Sequence, residues 1–358
     1  MRARRLTQPV FFALPALVLL LLAARPQSSA LPGSSDQAGR TLFHHEASRL
    51  SMASVYAIDA YGPDAAALPR LAEAALDDVD RLDRLMSHYK SDSPLSRLNR
   101  DAASGPVAVD PELFDVIAEA IRYSRESDGA FDITVGPLMK AWGFFRGDGH
   151  VPGARTLAEA RARVGYRHVR LNAANRTIAF DRAGVELDLG GIAKGYAVDR
   201  IVHILRRGGV TAALVSAGGS TLYALGAPPD RDGWPVEIQD PLDARKIALT
   251  LTLKDRALSV SGSAEKFFEA DGVRYSHIMD PRTGWPVQGV LSVAVQTKTG
   301  IAGDALDNVL FVQGVEKSRA TQRATPDLDD GFLDEAFFFL PAASPDKAGG
   351  WTLVRLRP

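Results

Sequence analysis

The sequence contains no cysteine, and this absence removes several classes of protein at once. Without a thiol the chain forms no disulfide, no thiolate metal centre and no cysteine nucleophile, and it has no cysteine to carry a lipid anchor. It also lacks an excess of charge of either sign, since 42 basic and 43 acidic residues leave a net charge of -1. Because no Lys/Arg tract is present either, nothing in the charge pattern indicates a nucleic-acid partner.

Three common catalytic or nucleotide-binding motifs are missing as well. The chain has no Gly-x-Ser-x-Gly, no Gly-x-x-x-x-Gly-Lys-[Ser/Thr] and no Gly-x-Gly-x-x-Gly after a predicted strand. A serine-hydrolase elbow, a P-loop and a dinucleotide-binding fingerprint are therefore not indicated.

The first 30 residues have the layout of a secretory signal peptide. Three arginines in the first five positions precede an apolar run over 10–24, and small residues at 28–30 offer a cleavage site. The run is shorter than the roughly 20 residues of a membrane span, although an uncleaved anchor is the alternative. General or twin-arginine export stays open, because the residues after Arg4-Arg5 do not extend the twin-arginine pattern. We expect an exported protein.

The remaining chain is long enough to bury a large core. A flexible lead-in over 31–47 is expected before a single large domain over 48–358. Apolar spacing predicts a helix over 68–86, and the sequence Asp110-Pro111-Glu112 predicts a second helix start. The segment 90–100 is interpreted as a loop, and a strand over 50–60 would carry Met52 near its beginning.

Many short strands are predicted in the rest of the chain. A capping box at 156–159 predicts a short helix, and another helix is expected over 301–313. The predicted strands are 168–171, 177–180, 212–216, 221–225, 235–238, 247–253, 257–260, 292–296, 336–340 and 352–356. Antiparallel hairpins with a few flanking helices favour an α+β fold of mixed, mostly antiparallel sheets. The acidic stretch 327–330 is interpreted as a solvated loop.

The stretch 185–204 carries the first candidate site. It predicts a short buried strand ending at Asp188, a Gly190-Gly191 turn and a helix with Lys194 in its first turn. Such a junction points unpaired N–H groups and the positive end of the helix dipole at one spot, which suits a phosphate. An ordinary turn that binds nothing is the alternative that these residues alone leave open.

The segment D-A-L-D-N offers a second candidate site. Asp304, Asp307 and Asn308 have the i, i+3, i+4 spacing that places side chains on one helix face. Two carboxylates and an amide oxygen suit Mg²⁺ or Ca²⁺ rather than zinc. The alternative is that acids near a helix start interact only with the dipole.

Three further segments are rich in turn residues and polar groups. His277 lies at a strand end beside an Asp-Pro and Thr-Gly turn, and with 261–266 it indicates the rim of a polar site, unless it is an ordinary structural histidine. In the segment 217–220, A-G-G-S, the two glycines would let the backbone approach a ligand closely, as at Gly190-Gly191. A plain β-turn is the alternative. The loop 129–143 is dense in glycine and aromatics, which is typical of loops that fill a cleft or surround a ligand.

Six segments occur in an order that resembles the ApbE-like FAD:protein FMN transferase family. They cover roughly 52–314, most of the chain after the signal peptide, and the resemblance implies a T-fold-related domain. The matching segments are M-S-H-Y-K (86–90) with S-R-L-N (96–99), G-A-F-D-I-T-V-G-P-L (129–138) with A-W-G-F (141–144), D-L-G-G-I-A-K-G-Y-A-V-D (188–199), S-A-G-G (216–219), S-H-I-M-D-P-R-T-G-W-P-V (276–287), and D-A-L-D-N with L-F-V-Q-G (310–314).

The resemblance implies a set of binding residues. The FAD contacts of the family fall at positions that match Met52, Tyr89, Ala130, Phe131, Asp132, Asp188, Lys194 and the backbone of Met279. Its divalent-metal positions match the carbonyl of Gly191 and the side chains of Asp304, Asp307 and Asn308, which would hold Mg²⁺.

The resemblance also implies a reaction. A Thr or Ser hydroxyl of a target protein, in a sequence of the type Asp-Gly-x-Thr/Ser-Gly-Ala-Thr/Ser, attacks the FMN-side phosphorus of FAD, and AMP leaves. Such transfer depends mainly on positioning and charge neutralisation, which Asp304 would supply through Mg²⁺. His277 is the expected base, because an unperturbed histidine has a pKa of about 6.5. Periplasmic localisation and a membrane electron-transfer subunit as acceptor follow from the same resemblance, and accessory proteins of nitrous-oxide reduction are one candidate.

Four positions depart from the pattern of the family. Asn308 stands where threonine is common, Ser220 where aspartate or asparagine is frequent, and Ala53-Ser54 where Gly-Thr is usual. These departures bear on catalytic efficiency more than on FAD binding. Two alternatives therefore stay open: a periplasmic flavin-binding or flavin-delivery protein with weak or no transferase activity, and a Mg²⁺-dependent FAD pyrophosphatase.

Overall fold

The computed structural model describes residues 41–229, 231–324, 333–342 and 350–357. The predicted signal peptide, most of the lead-in and the acidic stretch 327–330 lie outside these residues. Within them, no helix combines the length and the apolar character needed to cross a membrane. The strands are β1 (Phe43–Ser51), β2 (Ser54–Gly62), β3 (Val107–Ala108), β4 (Val169–Asn172), β5 (Thr177–Phe180), β6 (Ala212–Ala217), β7 (Thr221–Leu225), β8 (Trp234–Gln239), β9 (Ile247–Leu253), β10 (Arg256–Gly262), β11 (Phe267–Ala270), β12 (Val273–Ser276), β13 (Met279–Asp280), β14 (Trp285–Pro286), β15 (Ser292–Thr297), β16 (Leu333–Pro341) and β17 (Trp351–Leu356). The helices are α1 (Ala67–Met86), α2 (Pro94–Asp101), α3 (Pro111–Glu126), α4 (Gly136–Ala141), α5 (Ala154–Arg161), α6 (Ala193–Arg207) and α7 (Gly300–Ala324).

Among the described residues, eight strands form one antiparallel sheet in the order β1-β2-β6-β7-β10-β15-β16-β17. Helices α1, α6 and α7 pack on one face of this sheet, where Ile58, Leu76, Ile201 and Phe311 lie in the same buried cluster. The β8–β9 hairpin covers the other face with Trp234. The prediction of an α+β domain with mostly antiparallel sheets is confirmed. The layers pack together because each one buries the apolar face of the next.

The N-terminal hairpin corrects two predictions. Residues 43–47 were expected in the flexible lead-in, but they begin β1, which pairs with β2 along its whole length. Met52 was expected early in one strand, but Met52 and Ala53 form a two-residue turn with φ of 49° and 55°. Positive φ at both central residues gives the backbone twist that a tight hairpin requires. The apolar pattern did not reveal this turn, because neither residue is glycine or asparagine.

The positive φ of Ala53 leads to a stability prediction. A Cβ in the left-handed region crowds the following carbonyl, so Ala53→Gly should raise the free energy of unfolding by about 1 kcal/mol. Urea denaturation measures this change. As a control, Ala57→Gly in the extended strand β2 should lower the stability by at least about 0.5 kcal/mol, because glycine costs more entropy there. A lower urea midpoint for Ala53→Gly would contradict the strain assigned to this turn.

Local end signals account for the helices that were predicted and for one that was missed. Helix α3 begins as expected, with the Asp110 side chain accepting from the Glu112 N–H at 2.8 Å. The interpretation of 90–100 as a loop is wrong, because α2 lies there with Pro94 in its first turn and Ser93 accepting from the Ser96 N–H at 2.9 Å. The Ser-Pro pair is the same kind of start signal as Asp110-Pro111 and was readable from the sequence.

Two other predictions about helices need correction. The capping box at 156–159 does not start α5, because the helix begins at Ala154 with Gly153 at the cap position. The loop 129–143 contains the short helix α4 rather than being irregular throughout. The helix predicted over 301–313 is confirmed up to Gly314, where φ of 68° and ψ of 175° interrupt α7.

The segment 185–189 is extended but is not a strand of any sheet. A single parallel bridge joins Glu186 to Val135. Asn99 takes the place of a neighbouring strand, since its side chain donates to the Leu187 carbonyl at 2.9 Å and accepts from the Leu187 N–H at 2.8 Å. The Asp188 N–H donates to the Ile133 carbonyl at 2.7 Å. The prediction of a strand at 185–188 is therefore wrong, whereas the Gly190-Gly191 turn and a helix with Lys194 in its first turn are present as predicted.

Candidate functional site

Asp304 lies at the point where α6, α7 and two strands of the main sheet meet. Its carboxylate is buried, and one oxygen accepts from the Gly195 N–H at 2.7 Å. The other oxygen accepts from the hydroxyl of Ser259 on β10 at 3.1 Å and from the hydroxyl of Thr221 on β7. Three elements distant in sequence therefore hold this carboxylate in one orientation.

Asp307 is buried beside Asp304 and shares a donor with it. The Ser259 hydroxyl is 2.8 Å from Asp307 Oδ2 and so bridges the two carboxylates. Burial, and then the charge of Asp304, raise the pKa of Asp307 well above its usual range. The hydroxyl and amide groups that donate to these two buried carboxylates carry no charge. Two adjacent negative charges in such a place are unfavourable unless a cation neutralises them. Carboxylate oxygens are also the ligands that Mg²⁺ prefers, so the pair suits a divalent ion.

Gly191 and Asn308 complete the predicted metal set. Asn308 donates through Nδ2 to the Asp304 carbonyl at 2.8 Å and to Asp307 Oδ1 at 2.9 Å. A Cβ placed on Gly191 would lie 3.3 Å from Asn308 Nδ2 and 3.2 Å from Phe131 Cε2, so the glycine allows this close approach. The structure thus brings the four predicted metal residues and Phe131 together. With the amide nitrogen facing Asp307, the side chain would have to turn over to offer its oxygen to a cation.

Lys194 lies in the first turn of α6 and points toward this group. Its Nζ donates to the hydroxyl of Ser220, in the turn between β6 and β7. Its positive charge lowers the pKa of both Asp307 and His277, so both side chains are within its electrostatic reach. A lysine at a helix N-terminus beside two acids is suited to binding a phosphate together with its metal ion.

Asp188 joins this group to an exposed aromatic surface. Its carboxylate accepts from the Gly190 N–H at 2.8 Å and lies 3.3 Å from His88 Nδ1. The His88 ring contacts Tyr89 at 4.0 Å between centroids, and Tyr89 stacks on Phe145 at 4.8 Å with an interplanar angle of 16°. Tyr89 is 58% exposed. These rings offer a flat apolar surface to a planar ligand.

A cleft of about 190 Å³ opens beside Asp188. Its lining includes His88 and Phe145, neither of which was predicted as a site residue, together with Lys140 and Glu186. Lys140 and Glu186 form an ion pair at its edge. The aromatic-rich loop therefore does line a cleft, as its composition predicted.

The segment 130–132 forms one wall of the site, but the Asp132 carboxylate is already hydrogen-bonded within the protein. Ala130 and Phe131 are buried. The Asp132 carboxylate is also buried, and it accepts from the Thr134 N–H at 2.9 Å and from the Tyr166 N–H at 2.6 Å. Burial raises the pKa of Asp132 above its usual value, and the hydrogen bonds from these donors offset only part of that rise. The Asp132 side chain thus shapes the loop, in which the N–H groups of Ala130 and Phe131 also bond Ser127.

Met52 and Met279 are held by different parts of the fold. The Tyr56 hydroxyl donates to Met52 Sδ at 3.2 Å, and the Gly218 N–H bonds the Val55 carbonyl at 2.8 Å, which holds the hairpin turn against the 217–220 turn. The Met279 side chain is buried in a cluster with Trp142, so its backbone is the part available to a ligand. The contact between this backbone and FAD stays a prediction.

His277 is positioned by the backbone of a neighbouring turn. Its N–H donates to the Lys266 carbonyl at 2.9 Å, and its Nδ1 lies 3.3 Å from the same oxygen. Burial, and then the charges of Lys266 and Lys194, lower the pKa of His277 to about 4. In the described part of the chain no hydrogen bond joins it to the carboxylate pair. The pKa thus lies below the value of about 6.5 expected from the sequence, so the imidazole is neutral at neutral pH and can accept a proton, as a weaker base than an unperturbed histidine.

Several residues of the site escaped sequence reasoning. Ser259, Thr221 and Gly195 all hold Asp304, yet each appears in the sequence as an ordinary strand or helix residue. Ser259 and Thr221 are fully buried polar residues on strands, which is the kind of position that needs a partner. Gly195 near the start of a helix was the readable signal, because a glycine there lowers helix propensity without an evident gain.

Comparison with known proteins gives one consistent result. The profile of the ApbE family matches residues 52–330. The chain is 38% identical over 279 residues to the FAD:protein FMN transferase of Treponema pallidum (strain Nichols), covering 73% of this chain and 77% of that protein. The structure resembles the ApbE protein of Thermotoga maritima, with a TM-score of 0.76, 30% identity and coverage of 87% of this chain and 96% of that one. The apo form of the flavinyl transferase ApbE of Pseudomonas stutzeri matches with a TM-score of 0.73, 31% identity and coverage of 87% and 94%.

Proposed function

This chain belongs to the ApbE family, and from that premise we propose that it moves FMN from FAD onto a threonine or serine hydroxyl of a target protein, with Mg²⁺ bound and AMP released. The enzyme class, FAD:protein FMN transferase, follows from relatives of that name at up to 38% identity over most of the chain. The metal, the leaving group and the type of acceptor residue are the proposal.

The observation that carries the proposal is the buried pair Asp304 and Asp307 within electrostatic reach of Lys194. Asp304, Asp307, Asn308 and the Gly191 carbonyl would hold Mg²⁺, which would neutralise charge on the pyrophosphate as the bond to AMP breaks. Lys194 would bind a phosphate oxygen, helped by the N-terminus of α6. The residues of this site therefore supply the positioning that phosphoryl transfer needs.

The acceptor hydroxyl and the flavin need separate groups. His277 takes the hydroxyl proton as the oxygen bonds the FMN-side phosphorus, while the phosphorus–oxygen bond to the AMP phosphate breaks. The stacked pair Tyr89 and Phe145 provides a surface for a ring of FAD, beside Asp188. The product is FMN joined to the target through a phosphoester.

A labelling reaction tests this function. Purified protein is incubated with FAD, Mg²⁺ and an acceptor that carries the Asp-Gly-x-Thr/Ser-Gly-Ala-Thr/Ser sequence, and the acceptor should remain fluorescent after denaturing electrophoresis. An acceptor with the hydroxyl residue changed to alanine is the control. FAD bound without label in any acceptor would favour a flavin-delivery protein, and release of FMN and AMP without label would favour a pyrophosphatase.

Asn308 gives a prediction about the metal requirement. In Asn308→Thr the hydroxyl can donate to the Asp304 carbonyl, as Nδ2 does now, while its oxygen lone pairs face the cation. We expect the Mg²⁺ concentration for half-maximal transfer to fall several-fold. Asn175→Thr, in the exposed turn between β4 and β5, should leave that concentration unchanged. An unchanged or higher requirement in Asn308→Thr would remove Asn308 from the metal site.

We also propose that residues 1–30 direct export, so that the enzyme acts in the periplasm on a membrane electron-transfer subunit. The basic start, the apolar run and the small residues at 28–30 support export. A fusion of this segment to a reporter that is active only outside the cytoplasm tests it. Reporter activity confined to the cytoplasm would overturn the localisation while leaving the transferase activity untouched.

A further inference from the structure

Helix α6 is hydrogen-bonded to the start of α7 at two positions that are one helical turn apart. One of these positions is Asp199, which is not among the predicted site residues. The Asp199 carboxylate accepts from the Gly300 N–H at 2.7 Å through Oδ1 and from the Ile301 N–H at 2.9 Å through Oδ2. One turn earlier on the same face of α6, the Gly195 N–H donates to Asp304 Oδ2 at 2.7 Å. These three hydrogen bonds fix both the first turn of α7 and the residue one turn into it.

The two helices touch through their backbones at this point. A Cβ on Gly195 would lie 2.1 Å from the Gly300 carbonyl oxygen, and a Cβ on Gly300 would lie 2.5 Å from the Gly195 carbonyl oxygen. Real Cβ atoms essentially never come so close to backbone, so only glycine fits at either position. With no side chain between them, the helices have little freedom to slide, and the bonds from Asp199 set where α7 begins.

We propose that Asp199 is a positioning residue that sets the distance between the metal-binding carboxylates on α7 and the phosphate-binding lysine on α6. Asp304 is one helical turn after Gly300, and Lys194 is just before Gly195 in the first turn of α6. A shift of the start of α7 therefore moves Asp304 relative to Lys194. The inference rests on the proposed function, since it assigns the role through the Mg²⁺ site.

An ordinary helix cap does not require this arrangement. A single side-chain oxygen on serine or asparagine caps most helices, usually from the residue just before the helix. Asp199 instead reaches α7 from another helix and uses both oxygens on successive N–H groups. Burial is unfavourable for its charge and raises the pKa of Asp199 to about 7. Residues that orient metal ligands typically change metal affinity when they are replaced.

The test compares two aspartates that each accept from two successive N–H groups at a helix start, Asp199 through both oxygens from a neighbouring helix and Asp64 through Oδ1 alone at an exposed position. Asp199→Asn retains one acceptor oxygen but turns an NH₂ group toward a backbone N–H, which should displace the start of α7. Asp64 likewise accepts from two successive N–H groups, those of Ala66 and Ala67 at the start of α1, at 2.8 and 2.9 Å. Mn²⁺ affinity of the FAD-free full chain, measured by electron paramagnetic resonance, should weaken by about tenfold or more in Asp199→Asn. Asp64→Asn should lose thermal stability without a change in Mn²⁺ affinity.

Two further variants keep the result interpretable. If Asp199→Asn does not fold, Asp199→Ser keeps one hydroxyl acceptor and should still weaken Mn²⁺ binding. If either folded variant loses only thermal stability, as Asp64→Asn does, Asp199 is a helix cap and the inference is overturned. Asp304→Ala separates this failure from that of the proposed function. Unchanged Mn²⁺ affinity in Asp304→Ala would show that the metal assignment is wrong, whereas loss there but not in the Asp199 variants would overturn only the positioning role.

Discussion

Replacing Asp304 with alanine abolishes FMN transfer, with an expected loss of about 1,000-fold or more. The carboxylate is the point at which the Gly195 N–H and the Ser259 hydroxyl converge, and it is one of two acids available to neutralise the charge of Mg²⁺. Several kcal/mol of transition-state charge stabilisation depend on such a metal, and each 1.4 kcal/mol is about tenfold in rate. The rate of fluorescent labelling of the acceptor at saturating Mg²⁺ measures the loss.

Two controls separate chemistry from folding. Asp304→Asn keeps an acceptor for the Gly195 N–H but removes the charge, so it should remain folded and still be inactive. Asp243→Ala removes an acid from the β8–β9 hairpin, on the face of the sheet away from the helices, and should transfer FMN at the normal rate. Activity of Asp304→Ala at low Mg²⁺ concentration would contradict the assignment of this residue to the metal.

Replacing His277 with alanine should slow transfer by about 100-fold to 10,000-fold, the range for loss of a general base. FAD binding should be unchanged, because the ring accepts a proton and holds no phosphate. The lowered pKa of about 4 keeps His277 neutral above that pH and protonated below it. The wild-type rate should therefore fall as the pH drops through about 4, and the variant should lack this acidic limb. Rate profiles from pH 3 upward, over the range in which both proteins remain folded, measure it.

His203 provides the matched control for this prediction. It is exposed on α6, so His203→Ala should keep both the rate and the acidic limb of the wild-type protein. A wild-type rate in His277→Ala would remove His277 as the base. An acidic limb that persists in a slow His277→Ala variant would assign that limb to another group.

The elements with strong local signals could be predicted from the sequence. Asp110-Pro111-Glu112 encodes the start of α3 within three residues, and the i, i+3, i+4 spacing of Asp304, Asp307 and Asn308 encodes a shared helix face. Both patterns depend on neighbours a few positions away, so no knowledge of the tertiary structure is needed. The Ser93-Pro94 start of α2 belongs to the same class and was simply not recognised.

What the sequence did not reveal depends on contacts between distant segments. Asn99 bonds both backbone groups of Leu187, which holds 185–189 extended without a neighbouring strand. Ser259 bridges the two acids of α7 only because the order of strands in the main sheet places β10 under that helix. Hydrogen bonds across such separations have no local pattern, so they appear only once the fold is known.

The resemblance supplied roles that neither periodicity nor spacing could give. Nothing local distinguishes Met52 as a ligand contact, and the structure adds that it lies in a turn with positive φ, held by the Tyr56 hydroxyl. The structure also limits one role, since the Asp132 carboxylate is engaged within its own loop. These two residues show that matching a motif places a residue near a site without fixing which of its atoms acts.

The ratio of AMP released to FMN covalently bound, measured in one reaction with FAD, Mg²⁺ and acceptor, tests the central claim most directly. Transfer breaks one phosphorus–oxygen bond and forms another, so one AMP should appear for each FMN on the acceptor, and both products should disappear in Asp304→Ala. AMP in large excess over bound FMN, with free FMN accumulating, would contradict the transferase account and identify hydrolysis of FAD as the reaction.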